Sequence, residues 1–243
     1  MSGKGRERNG KMKENCIVID TETCNSLDDA LAYDIGGCVI DNTGKVYETF
    51  SFVIAETYVG MKDVMATAYY AEKLPKYETA LRNGERKMIR IFTAKKIIRE
   101  LCEKYNVRAI MAHNMRFDYN ALNTTIRYFS KSKIRFFFPY GIELWDTMKM
   151  ATDTVCKTDK YKKFCLENGY VYGKNNTVRR TAEILYRYIT GNNVFNEEHQ
   201  GLDDTLIEKE IFVYCTSRKK KMRRKLFDKP ISRPRFSVSF QWA

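Results

Sequence analysis

The sequence predicts an α/β fold, a mixed sheet in which an antiparallel three-strand meander is joined by parallel strands and flanked by helices. Three observations carry this. Short β-branched runs separated by turn residues fill the first 54 positions, helical periodicity alternates with apolar runs from residue 93 onward, and carboxylates stand at the ends of several of those runs.

Residues 1–13 are polar and basic and are expected to form a flexible N-terminus. The run Cys16-Ile17-Val18-Ile19 is too short for a helix and β-branched, so residues 15–20 predict a buried strand. A second strand is expected over 32–41. Asp41-Asn42-Thr43-Gly44 has turn chemistry, and the alternation of 45–54 gives a third strand. Residues 55–84 are rich in Tyr, Met and Lys, and Pro75 argues against a long helix, so short helices and loops covering a cleft are expected. Residues 93–105 predict an amphipathic helix with Thr93 as its N-cap and Ile97, Ile98 and Leu101 inward. A fourth strand at 107–112 and a helix at 117–129 follow. Residues 134–138 and 142–145 predict short strands, and 146–216 should be mostly helical. No repeat or second domain is evident. The expected organisation is a flexible segment (1–13), one domain (14–216) and a basic, extended tail (217–243) containing Pro230 and Pro234.

Composition narrows the function classes. The hydrophobic content of 44% suits a globular protein, and no stretch reaches the roughly 20 apolar residues of a membrane helix. The N-terminal segment lacks the apolar core of a secretory signal. Seven cysteines, an odd number without a C-x-x-C pair, predict reduced buried thiols in an intracellular protein and no zinc site. Cys24, near the first acidic pair, is read as structural. The expected location is cytoplasmic, or nuclear in a eukaryote. A net charge of +13, with RKKKMRRK at 218–225, points to a polyanionic partner, most often nucleic acid.

Three segments carry chemistry: Asp20-Thr21-Glu22, His113-Asn114-Met115-Arg116-Phe117-Asp118, and His199-Gln200-Gly201-Leu202-Asp203-Asp204. Asp20 and Glu22 are two apart on a strand and share a face. Their mutual repulsion is relieved by a divalent cation. Asp118 falls in the first turn of its helix, where it either serves the site or caps the helix. His113 and Asn114 fill the strand-to-helix turn, and Asp146 is read as a helix cap. His199 and Asp204 lie about 140° apart on a regular helix, so they converge only if His199 sits on a loop before a helix opening near Gly201. Leu202, Leu206, Ile207 and Ile211 would form that helix's apolar stripe. A near-neutral pKa suits His199 for taking a proton from water.

These three motifs, in this order, resemble those of the DEDDh (DnaQ-like) 3′-to-5′ exonucleases, whose members include the proofreading subunit of bacterial replicative polymerase, ribonuclease T and oligoribonuclease. The resemblance covers residues 15 to about 216. It implies an RNase H-like fold, two Mg²⁺ or Mn²⁺ ions held by Asp20, Glu22, Asp118 and Asp204, and His199 as general base. It also places Thr21 and Thr23 where the terminal nucleotide of a single-stranded 3′ end is approached, with Thr23 taken as the substrate contact. The place of His113 and Asn114 in the turn assigns them to shaping the site or touching substrate. A polymerase or replication partner is compatible with it; the oligomeric state is left open. Tyr58, Tyr69, Tyr70 and Tyr77 are candidates for base stacking or for packing. Two other classes remain in view: a phosphodiesterase acting on short oligonucleotides or nucleotide signals, and a non-catalytic nucleic-acid-binding module.

Overall fold

β1 (Asn15–Cys24) is the central strand because its residues are apolar on both sides. Ile17 and Ile19 enter one core layer, Cys16 and Val18 the other, all at most 1% exposed. Each side chain of this size contributes about 1.5–3 kcal/mol by leaving water. The computed structural model describes residues 14–26, 28–68, 71–197 and 199–232. The expected flexible segment 1–13, Tyr69 and Tyr70, and the tail beyond residue 232 lie outside the described residues.

The meander forms as the sequence predicts. β1 pairs antiparallel with β2 (Leu31–Asp41), which pairs antiparallel with β3 (Val46–Ile54). Asp41 closes the intervening turn, its Oδ1 accepting from the backbone N–H of Thr43 (2.8 Å) and Lys45 (3.2 Å). Two short helices follow, α1 (Ala55–Tyr58) and α2 (Lys62–Met65), then a 3₁₀ turn (Ala71–Lys73) and α3 (Leu74–Arg82). Pro75 opens α3 rather than interrupting it, as proline can where the first N–H groups have no helical partner. The segment Lys87–Ile89 (β4) adds an unexpected edge strand parallel to β3.

α4 (Ile91–Lys104) starts two residues before the expected position and is not capped by Thr93, which is exposed inside the helix. Glu56 of α1 supplies the cap, its Oε2 accepting from the Ile91 N–H at 3.1 Å. β5 (Val107–Ala112) then pairs parallel with β1, and α5 (Met115–Ser130) follows. Of the two strands expected next, only β6 (Glu143–Asp146) forms, parallel to β5. Residues 134–138 are a loop, because Phe137 and Phe138 are buried as anchors and the Phe137 N–H bonds to Asn123 Oδ1 (2.9 Å) instead of a neighbouring strand.

The remainder is helical, as expected, apart from a small hairpin. α6 (Thr147–Ala151), begun by Asp146 as its N-cap, runs into a widened π turn (Thr152–Cys156) and α7 (Asp159–Glu167). Then come the hairpin strands β7 (Val171–Tyr172) and β8 (Thr177–Val178), α8 (Ala182–Thr190) and α9 (Gly201–Ser217). The sheet order is β4-β3-β2-β1-β5-β6. α4 and α5 cover the Ile17/Ile19 face, while α7, α8 and α9 cover the Cys16/Val18 face. All seven cysteines are buried free thiols. No helix among the described residues is long and apolar enough to cross a membrane.

The basic run after α9 is extended but is not a free appendage. Trp145 of β6 forms an antiparallel bridge with Lys225, and the Asp146 N–H bonds to the Arg224 carbonyl (2.7 Å). The N–H groups of Leu226 and Ile231 likewise donate to the carbonyls of Leu144 and Ile142. Arg223 grips Asp153 at 2.9 and 3.0 Å, Lys225 pairs with Glu143 at 2.8 Å, and Arg224 lies over the Trp145 ring. Much of the charge in RKKKMRRK is therefore spent within the domain, leaving Lys219, Lys220 and Lys221 exposed.

Candidate active site

The candidate site residues meet because of where the strands end. Asp20 and Glu22 continue the Cys16/Val18 face of β1, the face that α9 covers. Beside β1, β5 delivers the chain to α5, whose first turn holds Asp118. β1 is the point where the sheet order turns from β2 on one side to β5 on the other, the usual place for a crevice in an open α/β sheet. A cleft of about 530 Å³ opens there, lined by Asp20, Glu22, Asp118, His199 and Asp204 together with Thr21, His113 and Asn114.

α9 is brought onto this edge by bare backbone contact. Gly36 stands opposite Asp20 in the β1–β2 pairing, and a side chain on Gly36 would collide with the backbone of Gly201 and Leu202. A buried network then fixes the helix start. Asp34, fully buried on β2, accepts from Arg86 (2.6 Å), from the Tyr77 hydroxyl (2.8 Å) and from the Gly201 N–H (3.1 Å). Arg86 also donates to Gln200 Oε1 at 3.1 Å. Tyr77 is thus a core residue and not a stacking platform, and Tyr58 packs beside it with its hydroxyl on the Leu74 carbonyl.

His199 sits on the loop before α9 in the left-handed region (φ 50°), and Asp204 lies within the helix, the split that their spacing requires. Donor atoms of Glu22, His199 and Asp204 all fall within 4.8 Å of one another. The His199 Nδ1 is 3.9 Å from Glu197 Oε2. Asp118 accepts a 2.9 Å hydrogen bond from the Thr21 hydroxyl. Asn114 stands exposed at the cleft in a left-handed conformation. Thr23 does not line the cleft: a register shift after Glu22 turns the strand aside, and Thr21 occupies the wall instead. Of the apolar stripe expected on α9, Ile207 and Ile211 are buried, but Leu206 is 37% exposed because the helix turns Asp204, Thr205 and Glu208 inward.

His113 is structural. Its Nδ1 meets the Thr147 hydroxyl at 3.0 Å and its Nε2 the Arg180 carbonyl at 2.6 Å, and burial lowers its pKa. It joins β5 to the opposite wall, where Arg179, Arg180 and the half-exposed Tyr172 line the cleft. Three further carboxylates line the cleft, Glu183, Glu197 and Glu208, and Glu197 and Glu208 lie in no motif of the sequence.

Crowding defines the electrostatics. Burial, then repulsion from Asp204, pushes Glu22 up to about 9. Burial, then repulsion from Glu197, takes Asp204 to about 8, and burial takes Asp118 to about 7 against the opposing pull of the Thr21 hydroxyl. Asp20 is raised by burial and then by Asp118. Asp204 Oδ1 is buried without a hydrogen-bond partner. A crowded set of oxygen donors with an orphaned oxygen fits hard divalent cations such as Mg²⁺ or Mn²⁺. Carboxyl groups raised in the folded state bind protons that the unfolded chain has released, so they stabilise the cation-free fold at acid pH. That stability is lost as pH rises through about 7 to 9. Melting in EDTA should therefore fall steadily from pH 5 to 9, by about 2–4 °C per kcal/mol lost, and millimolar Mg²⁺ should flatten the slope. A pH-independent melting temperature in EDTA would refute the crowding.

No family model and no curated protein matches this sequence. Among solved structures, the crystal structure of cell-death related nuclease 4 (CRN-4) superposes with a TM-score of 0.50 at 10% identity, covering 87% of this chain and 66% of that one. The chain shares the fold of that nuclease, a mixed α/β sheet flanked by helices. Looser similarity extends to Exonuclease X in complex with 5′ overhanging duplex DNA (TM-score 0.38, 13% identity, 83% of this chain and 91% of that one). It extends also to E. coli Exonuclease I in complex with a dA16 oligonucleotide (0.40, 12%, 81% and 39%). The chain thus spans just under two thirds of CRN-4 and well under half of Exonuclease I, and at such identities the likeness is one of fold.

Proposed function

We propose that this chain is a metal-dependent 3′-to-5′ exonuclease acting on single-stranded DNA or RNA ends. The observation that carries the reading is the meeting of Asp20, Glu22, Asp118, Asp204 and His199, from three distant segments, in one cleft. Asp20, Glu22, Asp118 and Asp204 would hold two divalent cations. When bound, such a pair supplies Lewis-acid stabilisation of the attacking and leaving oxygens and makes water easier to deprotonate. His199 takes the proton from the water whose oxygen attacks phosphorus. The bond from phosphorus to the 3′ oxygen of the preceding nucleotide breaks and that oxygen takes up a proton from solvent, leaving a shortened chain with a 3′ hydroxyl and a nucleoside 5′-monophosphate. Glu197, 3.9 Å from His199 Nδ1, favours the imidazolium that results. Thr21 orients Asp118. On the facing wall, Arg179 and Arg180 offer positive charge to the backbone, Tyr172 and Phe117 offer ring faces to bases, and Asn114 reaches the terminal nucleotide.

The test is degradation of 5′-labelled single-stranded DNA and RNA of one sequence with Mg²⁺, Mn²⁺ or EDTA, alongside a labelled dinucleotide. A metal-dependent ladder shortening from the 3′ end is expected, and the faster polymer names the substrate class. Cleavage of the dinucleotide alone would favour a phosphodiesterase. Binding without cleavage under every metal condition would overturn catalysis and leave a binding module.

A further inference from the structure

Glu208 lies one helical turn beyond Asp204 on α9, so the two side chains leave the helix on the same face. It is 3% exposed, in a stripe otherwise filled by Ile207 and Ile211. A carboxylate buried there is costly unless it is engaged. One of its oxygens accepts from the backbone N–H of His113. The other, Oε2, is buried without a hydrogen-bond partner, as is Asp204 Oδ1. Both residues line the cleft with Asp20 and Asp118. Bracing the His113 N–H requires one neutral acceptor, which a glutamine would provide, so that contact does not account for the charge or for the second oxygen.

We propose that Glu208 is a fifth carboxylate of the metal centre, with Oε2 presented to a divalent cation or to a water in its coordination shell. The inference rests on the metal-centre reading above. Four carboxylates balance the charge of two divalent cations. Glu208 adds a negative charge to that set, beside Glu183 and Glu197 of the same cleft, so cations are drawn in more strongly and bound more tightly than without it.

The test is Mn²⁺ binding to the whole chain by titration calorimetry, with melting in EDTA as the check on folding. Glu208→Gln keeps the shape and the acceptor for His113. Glu210→Gln removes a charge from the exposed, Lys209-paired side of the same helix and serves as control. Glu208→Gln is expected to weaken Mn²⁺ binding by about tenfold or more, with an unimpaired melting temperature in EDTA and with Glu210→Gln near wild type. Wild-type affinity in Glu208→Gln, or an equal loss in both variants, overturns the role of Glu208 while leaving the metal centre in place. Absence of Mn²⁺ binding to the wild-type chain overturns both. If glutamine lowers the melting temperature, Glu208→Asp carries the same test. It keeps the charge and withdraws it by one methylene, so weakened binding supports the proposal and unchanged binding overturns it.

Discussion

His199→Ala lowers kcat on a single-stranded substrate by about 10²–10⁴-fold, the range a positioned general base supplies, with little change in KM. The reason is positional. His199 is held in a left-handed turn ahead of α9, with its ring beside the carboxylates of Glu22 and Asp204 and 3.9 Å from Glu197. In the proposed mechanism its ring takes the proton of the attacking water and does not hold the bulk of the substrate, so its loss should act on turnover. Asp20→Asn, which removes a charge from the centre of the carboxylate group, should cost at least as much in turnover and also weaken Mn²⁺ binding, whereas His199→Ala leaves binding of the cations by the four carboxylates largely in place. A His199→Ala enzyme retaining more than a tenth of wild-type turnover would assign the base to another group.

Arg86→Met is the most destabilising single change expected outside the apolar core. Arg86 and Asp34 are both buried, 2.6 Å apart. Removing one member of such a pair costs about 3–5 kcal/mol, because a charge is left without its partner. At about 2–4 °C per kcal/mol for a chain of this size, melting should fall by roughly 10 °C. Asp34→Asn in the Arg86→Met background should recover part of that loss, since the stranded charge is then gone. Activity should fall further than stability predicts: Arg86 also holds Gln200, and Asp34 holds the Gly201 N–H, the two residues that follow His199. A double variant no more stable than Arg86→Met would mean that the packing of the guanidinium on Tyr77, 4.4 Å from its ring, matters more than the charge.

The meander and β5 were legible because β-branched runs and turn residues agree with the tertiary contacts that the strands make. The split of His199 and Asp204 between loop and helix is the condition that helical angles set for the two to meet at one site. Other parts had no local signal. β4 is three residues long, and the strands of the β7–β8 hairpin two each, too short to show alternation. The cap on α4 comes from Glu56, some 35 positions away, beyond any local pattern. Phe137 and Phe138 read as strand residues by composition, yet they are held by the core and by Asn123. Two signals were present but unread: Asp34, an acid inside the apolar run Leu31–Asp41, and Glu208, four residues after Asp204 on one helix face. Both mark positions where burial of a carboxylate is compensated by something that the sequence does not spell out.

The segment from Arg224 to Ile231, laid along β6, changes what the sheet can offer to another molecule. A margin of unpaired N–H and C=O groups is a template on which a second chain can extend a sheet. Here one margin is occupied by the chain's own continuation, fixed by backbone bonds to residues 141, 142, 144 and 146, and the opposite margin is the short, lysine-bearing β4. Growth of this six-stranded sheet by strand addition is thus disfavoured at both ends.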